Sequence, residues 1–85
     1  MRQSILITGC SSGIGLDCAL KFKQNDWLVI ASCRRPQDVE LLKASYNLET
    51  VHIDYEKPET IHSGFKAALA LSGGKIDVLF NNGAY

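Results

Sequence analysis

The sequence predicts an α/β fold: a four-stranded parallel sheet whose strands are joined by three helices. Short apolar runs of strand length alternate with longer stretches of helical periodicity, in the order β-α-β-α-β-α-β. The apolar runs are nearly unbroken, as in a sheet covered on both faces. Strands separated by helices return through right-handed crossovers, which leaves them parallel.

Ser4–Thr8 is the first buried strand, and a glycine-rich turn follows it. Gly13–Asn25 is a helix with Ile14, Cys18 and Phe22 on one face, Leu16 and Leu20 beside them, and Lys21, Lys23 and Gln24 outward. Trp27–Cys33 is the second buried strand. Pro36 suits the first turn of the next helix, where a missing N–H costs nothing, and Val39, Leu42 and Tyr46 turn inward from it. Glu49–Asp54 is the third strand, with Val51 and Ile53 apolar. Pro58 opens a third helix whose buried stripe is Ile61, Phe65, Ala68 and Leu69, and Gly73-Gly74 stops it. Ile76–Asn81 completes the pattern as the fourth strand.

The bulk composition narrows the function classes. The chain has 85 residues, 46% of them hydrophobic and 21% charged, which fits one ordinary globular domain. Nine basic and nine acidic residues cancel, so the basic excess of a nucleic-acid binder is missing. No apolar run reaches the length of about 18 residues that a membrane span needs. Met1-Arg2-Gln3 passes straight into strand-like residues without a secretory signal pattern. Cys10, Cys18 and Cys33 are odd in number and form no C-x-x-C pair, which points to free thiols in a reducing cytoplasm. His52 and His62 have no second ligand at metal spacing, so no metal is expected.

The turn Thr8-Gly9-Cys10-Ser11-Ser12-Gly13-Ile14-Gly15 carries the chemistry. Its three glycines allow a tight turn and leave room for a bulky anion. The helix that opens there aims its free N–H groups and positive dipole end at that anion. Strand, glycine turn and helix in this order form a phosphate cradle for a nucleotide cofactor.

On these residues the chain resembles the short-chain dehydrogenase/reductase family along essentially its whole length. The family motif T-G-x-x-x-G-x-G is matched by Thr8, Gly9, Gly13 and Gly15, a spacing distinct from G-x-G-x-x-G. The resemblance implies a Rossmann-type sheet in the order 3-2-1-4. It also implies that Gly9, Ser11, Ser12, Gly13, Ile14 and Gly15 surround the cofactor phosphates. Asp54 stands where the family commonly has an acid that accepts a hydrogen bond from the adenine amino group. Asn81-Asn82-Gly83-Ala84 takes the place of the family's N-N-A-G, with glycine and alanine in swapped order, beside the adenosine half. At Cys33, where NAD-using members usually carry an acid for the ribose 2′-hydroxyl, there is none. Arg34 and Arg35 follow at once, and guanidinium groups suit a 2′-phosphate, so NADP is expected over NAD. Without the resemblance, Asp54 is a turn former, the asparagine pair a strand-ending turn and the arginines a solvated loop.

The family's chemistry uses a tyrosine with a lysine four residues later. Thr50 lies four past Tyr46, Glu59 lies four past Tyr55, and Tyr85 is the last residue, so this chain has no Y-x-x-x-K and no catalytic residue is assigned. The resemblance therefore implies the N-terminal part of the domain, truncated relative to the full fold. The complete enzyme would move hydride between NADP(H) and an alcohol or carbonyl substrate. The alternative is a non-catalytic nucleotide-sensing or assembly module with the same half-site. Ile76–Asn81 is expected as an exposed apolar edge, so that the chain self-associates through it, is marginally stable, or is the ordered part of a longer protein.

Overall fold

The computed structural model describes residues 2–82. Seven elements follow one another: β1 (Ser4–Ile7), α1 (Gly13–Gln24), β2 (Leu28–Cys33), α2 (Pro36–Tyr46), β3 (Glu49–His52), α3 (Pro58–Leu71) and β4 (Val78–Phe80). The four strands form one parallel sheet in the order β3-β2-β1-β4, as expected for a Rossmann-type α/β fold. Registers Leu6↔Ile30, Leu6↔Leu79 and Cys33↔His52 fix the strands relative to one another.

Side chains alternate across a strand, and β1 and β2 use both directions. Ile5, Ile7, Val29 and Ala31 enter one core with Ala19 of α1 and Val39 and Leu42 of α2. Leu6 and Ile30 enter the other with Val51, Ile53 and Ala68 of α3. This is why the two central strands read as unbroken apolar runs. Ile5, Leu6, Ile7, Ile30 and Leu42 are almost wholly buried. Each contributes about 1.5–3 kcal/mol relative to an exposed side chain.

Local signals set the helix limits. Pro36 and Pro58 stand in the first turns of α2 and α3. Asn47 ends α2 in the left-handed region at φ 54°. Gly73 and Gly74 stop α3, and the Gly74 N–H returns to the Leu69 carbonyl at 2.7 Å. At the amino end of the sheet the rings of Phe22 and Trp27 meet edge to face, 4.9 Å apart.

Several expected boundaries and burials differ. β1 ends at Ile7, β2 begins at Leu28 and α1 ends at Gln24, each one residue inside the expected range. β3 stops at His52, because the paired stretch of β2 stops at Cys33. Asp54 therefore sits in the turn beyond β3 rather than at the strand's end. β4 spans only Val78–Phe80, the length that Ile5–Ile7 can pair. Ile14, Tyr46 and Leu69 are exposed rather than inward. Ile14 belongs to the open first turn of α1, Tyr46 is the last residue of α2, and Leu69 lies about 100° round α3 from the buried Ala68. The sheet is not covered throughout: Val78 and Leu79 are 39% and 52% exposed, since the helices pack mainly on β2 and β3.

Polar contacts hold β4 at both ends. At its start, the Asp77 carboxylate accepts from the Ser4 N–H at 2.8 Å, and the Asp77 N–H donates to Ser4 Oγ at 3.0 Å. At its end, the Thr8 N–H donates to the Phe80 carbonyl at 3.1 Å.

Candidate functional site: the carboxyl edge of the sheet

In a parallel sheet every strand delivers its following loop to the same edge, which is where such folds bind ligands. Here the edge gathers residues 8–12 after β1, 34–35 after β2, 53–57 after β3 and 81–82 after β4. Every expected site residue lies on this edge or in the first turn of α1, except Gly83, which is outside the described residues.

The loop after β1 is tied down from below. Cys10 is fully buried, its N–H donates to the Ser32 carbonyl at 2.9 Å, and its thiol reaches the Ile7 carbonyl at 3.1 Å. Burial pushes the Cys10 thiol up to about 11 and the Cys33 thiol up to about 12, so both stay protonated and serve as packing. Above this floor Gly9 and Gly13 turn the chain with φ of 69° and 65°, where a β-carbon is strained. Gly15 is required by proximity: a β-carbon there would collide with the Gly9 carbonyl and stand 2.6 Å from Asn82 Nδ2. Ser12 begins α1 without a side-chain cap, and no acid occupies the first turn. The dipole end of α1 is thus uncompensated by a carboxylate, and Ser11–Ile14 are exposed around it. A loop of this shape fits a diphosphate.

The asparagine pair locks β4 to this loop. Asn82 Nδ2 donates to the Gly9 carbonyl at 3.3 Å. Asn81 Oδ1 accepts from the Thr8 hydroxyl at 3.2 Å and from the Tyr55 hydroxyl. One amide oxygen therefore joins the loops after β1, β3 and β4.

The charged residues form a second group. Ser11, Arg34, Arg35, His52, Asp54 and Glu56 are among those lining one cleft of about 740 Å³. Arg34 Nη2 lies 3.3 Å from Glu56 Oε1, and Arg34 Nε lies 3.9 Å from Asp54 Oδ1. Arg35 Nε pairs with Asp38 Oδ2 at 3.1 Å. Asp54 is buried, and its Oδ1 accepts the Glu56 N–H at 3.0 Å, so it does form a turn. The Thr60 hydroxyl accepts the Asp54 N–H at 2.8 Å. His52 Nε2 lies 2.8 Å from the Arg34 carbonyl, which can only accept, so this nitrogen carries the proton.

Eight of the expected residues thus fall into two adjoining groups, while Ser12, Gly13 and Ile14 stand at the open start of α1. Gly9, Gly15, Asn81 and Asn82 form the structural knot, and Ser11, Arg34, Arg35 and Asp54 face the cleft. Sequence reading missed Tyr55, Glu56 and the side-chain role of Thr8. Tyr55 and Glu56 directly follow Asp54, and that adjacency was the available signal. No helix among the described residues is long and apolar enough to cross a membrane.

Comparison with known proteins agrees with this geometry. The family described as short chain dehydrogenase matches residues 3–85. An uncharacterized oxidoreductase of Escherichia coli, YbbO, is 41% identical over 85 residues, covering 100% of this chain and 31% of that protein. The NADPH-dependent 1-acyldihydroxyacetone phosphate reductase of Saccharomyces cerevisiae is 35% identical, covering 95% of this chain and 29% of the yeast protein. Among solved structures, an actinorhodin polyketide ketoreductase variant with NADPH superposes with a TM-score of 0.82 at 26% identity, over 99% of this chain and 34% of that one. The chain spans about a third of the length of these relatives.

Proposed function

The chain belongs to the short-chain dehydrogenase family, and from that membership we propose that it is the NADP-binding portion of an oxidoreductase acting on an alcohol or carbonyl substrate. The observation that carries the cofactor preference is the cleft beyond β2. Arg34 and Arg35 line it together with Ser11, and no carboxylate stands at Cys33 to accept the ribose 2′-hydroxyl. An NADPH-dependent relative and a structural neighbour solved with NADPH favour the same choice.

The chemistry that a bound nicotinamide cofactor would supply is hydride transfer to or from the substrate carbonyl carbon. The work of this chain is placement. The first-turn N–H groups of α1 hold the diphosphate, with Gly9 and Gly13 shaping its seat and Gly15 letting the chain pass close beneath. Arg34 engages the 2′-phosphate, Arg35 adds positive charge beside it, and Asp54 accepts from the adenine amino group. Asn81 and Asn82 keep the β4 end against the glycine loop.

Calorimetric titration of NADPH, NADH and adenosine 2′,5′-bisphosphate tests this reading. The 2′-phosphorylated ligands should bind more tightly than NADH. Arg34→Ala should weaken them roughly ten- to hundred-fold, the loss of one charge-assisted hydrogen bond, with little change for NADH. Tighter binding of NADH than of both phosphorylated ligands would overturn the assignment.

A further inference from the structure

We propose that Glu56 tunes cofactor choice by competing with the 2′-phosphate for Arg34. This rests on the NADP reading above and adds a residue to it. Glu56 Oε1 stands 3.3 Å from Arg34 Nη2, where an incoming phosphate oxygen would pair. The position is built in, because the Glu56 N–H donates to Asp54 Oδ1 and fixes the backbone beside Arg34.

The three carboxylates in the cleft are not equivalent. Asp38 is held against Arg35 at 3.1 Å. Asp54 is 10% exposed in its side chain and is engaged by a backbone N–H. Glu56 is 59% exposed, as is Arg34, so their pairing is a surface salt bridge in water. Such a pair is weak enough for a phosphate dianion to displace. Arg34, Arg35 and Lys57 face Asp38, Asp54 and Glu56 in this cleft, three cations against three acids. Rotating Glu56 outward leaves the cations in local excess, as a 2′-phosphate requires. NADH brings no phosphate to this position and leaves the pair intact. Glu56 therefore lowers affinity for the phosphorylated cofactor and narrows the gap between NADP and NAD.

The test is a double-mutant cycle on the 85-residue chain, read as affinities for adenosine 2′,5′-bisphosphate and for NADH. Glu56→Gln should tighten the bisphosphate about two- to five-fold, the scale of an exposed ion pair, and leave NADH unchanged. In the Arg34→Ala background the same substitution should have no effect, which separates competition at Arg34 from general removal of negative charge. If Glu56→Gln leaves the ratio of the two affinities unaltered while Arg34→Ala still lowers it, the Glu56 proposal fails and the NADP reading stands. If Arg34→Ala leaves that ratio unaltered, or the chain takes up neither ligand, both fail.

Discussion

The side-chain amide of Asn82 donates to the Gly9 carbonyl at 3.3 Å and stands where a side chain on Gly15 would have to go. Two segments 73 residues apart in the chain thus share one small space. Gly15→Ala should destabilise the fold by about 1–3 kcal/mol, the usual cost of overpacking, as read by urea unfolding. Removing the amide with Asn82→Ala in the same chain should not restore stability, because the Gly9 carbonyl still blocks the β-carbon. A wild-type urea midpoint for Gly15→Ala would show that the loop is looser than this packing.

Asp77 sets an acid limit on the attachment of β4. The Ser4 backbone N–H, with help from the Lys75 ammonium and the Ser4 hydroxyl, holds the Asp77 carboxyl below its ordinary 3.8. A carboxyl lowered on folding stabilises the fold at pH above its unfolded value. That contribution disappears as pH falls through the folded value. Acid titration should therefore show a stability loss below 3.8 that Asp77→Asn reduces. Equal acid sensitivity in the two proteins would assign the loss to other groups.

The thiols should react in the order of their access. Cys18 is half-buried, whereas Cys10 and Cys33 are buried and held protonated up to about 11 and about 12. An aromatic disulfide reagent near pH 8 should modify Cys18 first and the other two only on unfolding. Mass mapping checks this, and modification of Cys10 as fast as Cys18 would contradict the buried floor of the glycine loop.

The element order and parallel topology were legible because β1 and β2 feed two cores, which forces apolar side chains at successive positions. Helix starts were legible at Pro36 and Pro58 because the ring fixes the first turn. Strand ends were less so. Ile53 is as apolar as Val51 and equally buried, yet only pairing with β2 decides which of them belongs to β3. The exposure of Val78 and Leu79 falls within the apolar edge expected at Ile76–Asn81.

At the site, the positions of Gly9, Gly13 and Gly15 were readable from spacing because backbone shape dictates glycine there. The partners of Arg34 were not. Its contacts with Asp54 and Glu56 cross from β2 to the turn after β3, and no local pattern announces a pairing between strands. The same holds for the joint hold of Thr8 and Tyr55 on Asn81.

The edge-to-face pair of Phe22 and Trp27 lies at the amino end of the sheet, opposite the edge where the glycine loop and the arginines meet. Trp27 is the single tryptophan of the chain. Its emission is therefore an intrinsic gauge of whether α1 is docked on β2, and adenosine 2′,5′-bisphosphate, which does not absorb where tryptophan emits, leaves that gauge undisturbed from the opposite edge. Fluorescence and ligand titration can thus be read on one sample as separate channels, one for folding and one for occupancy.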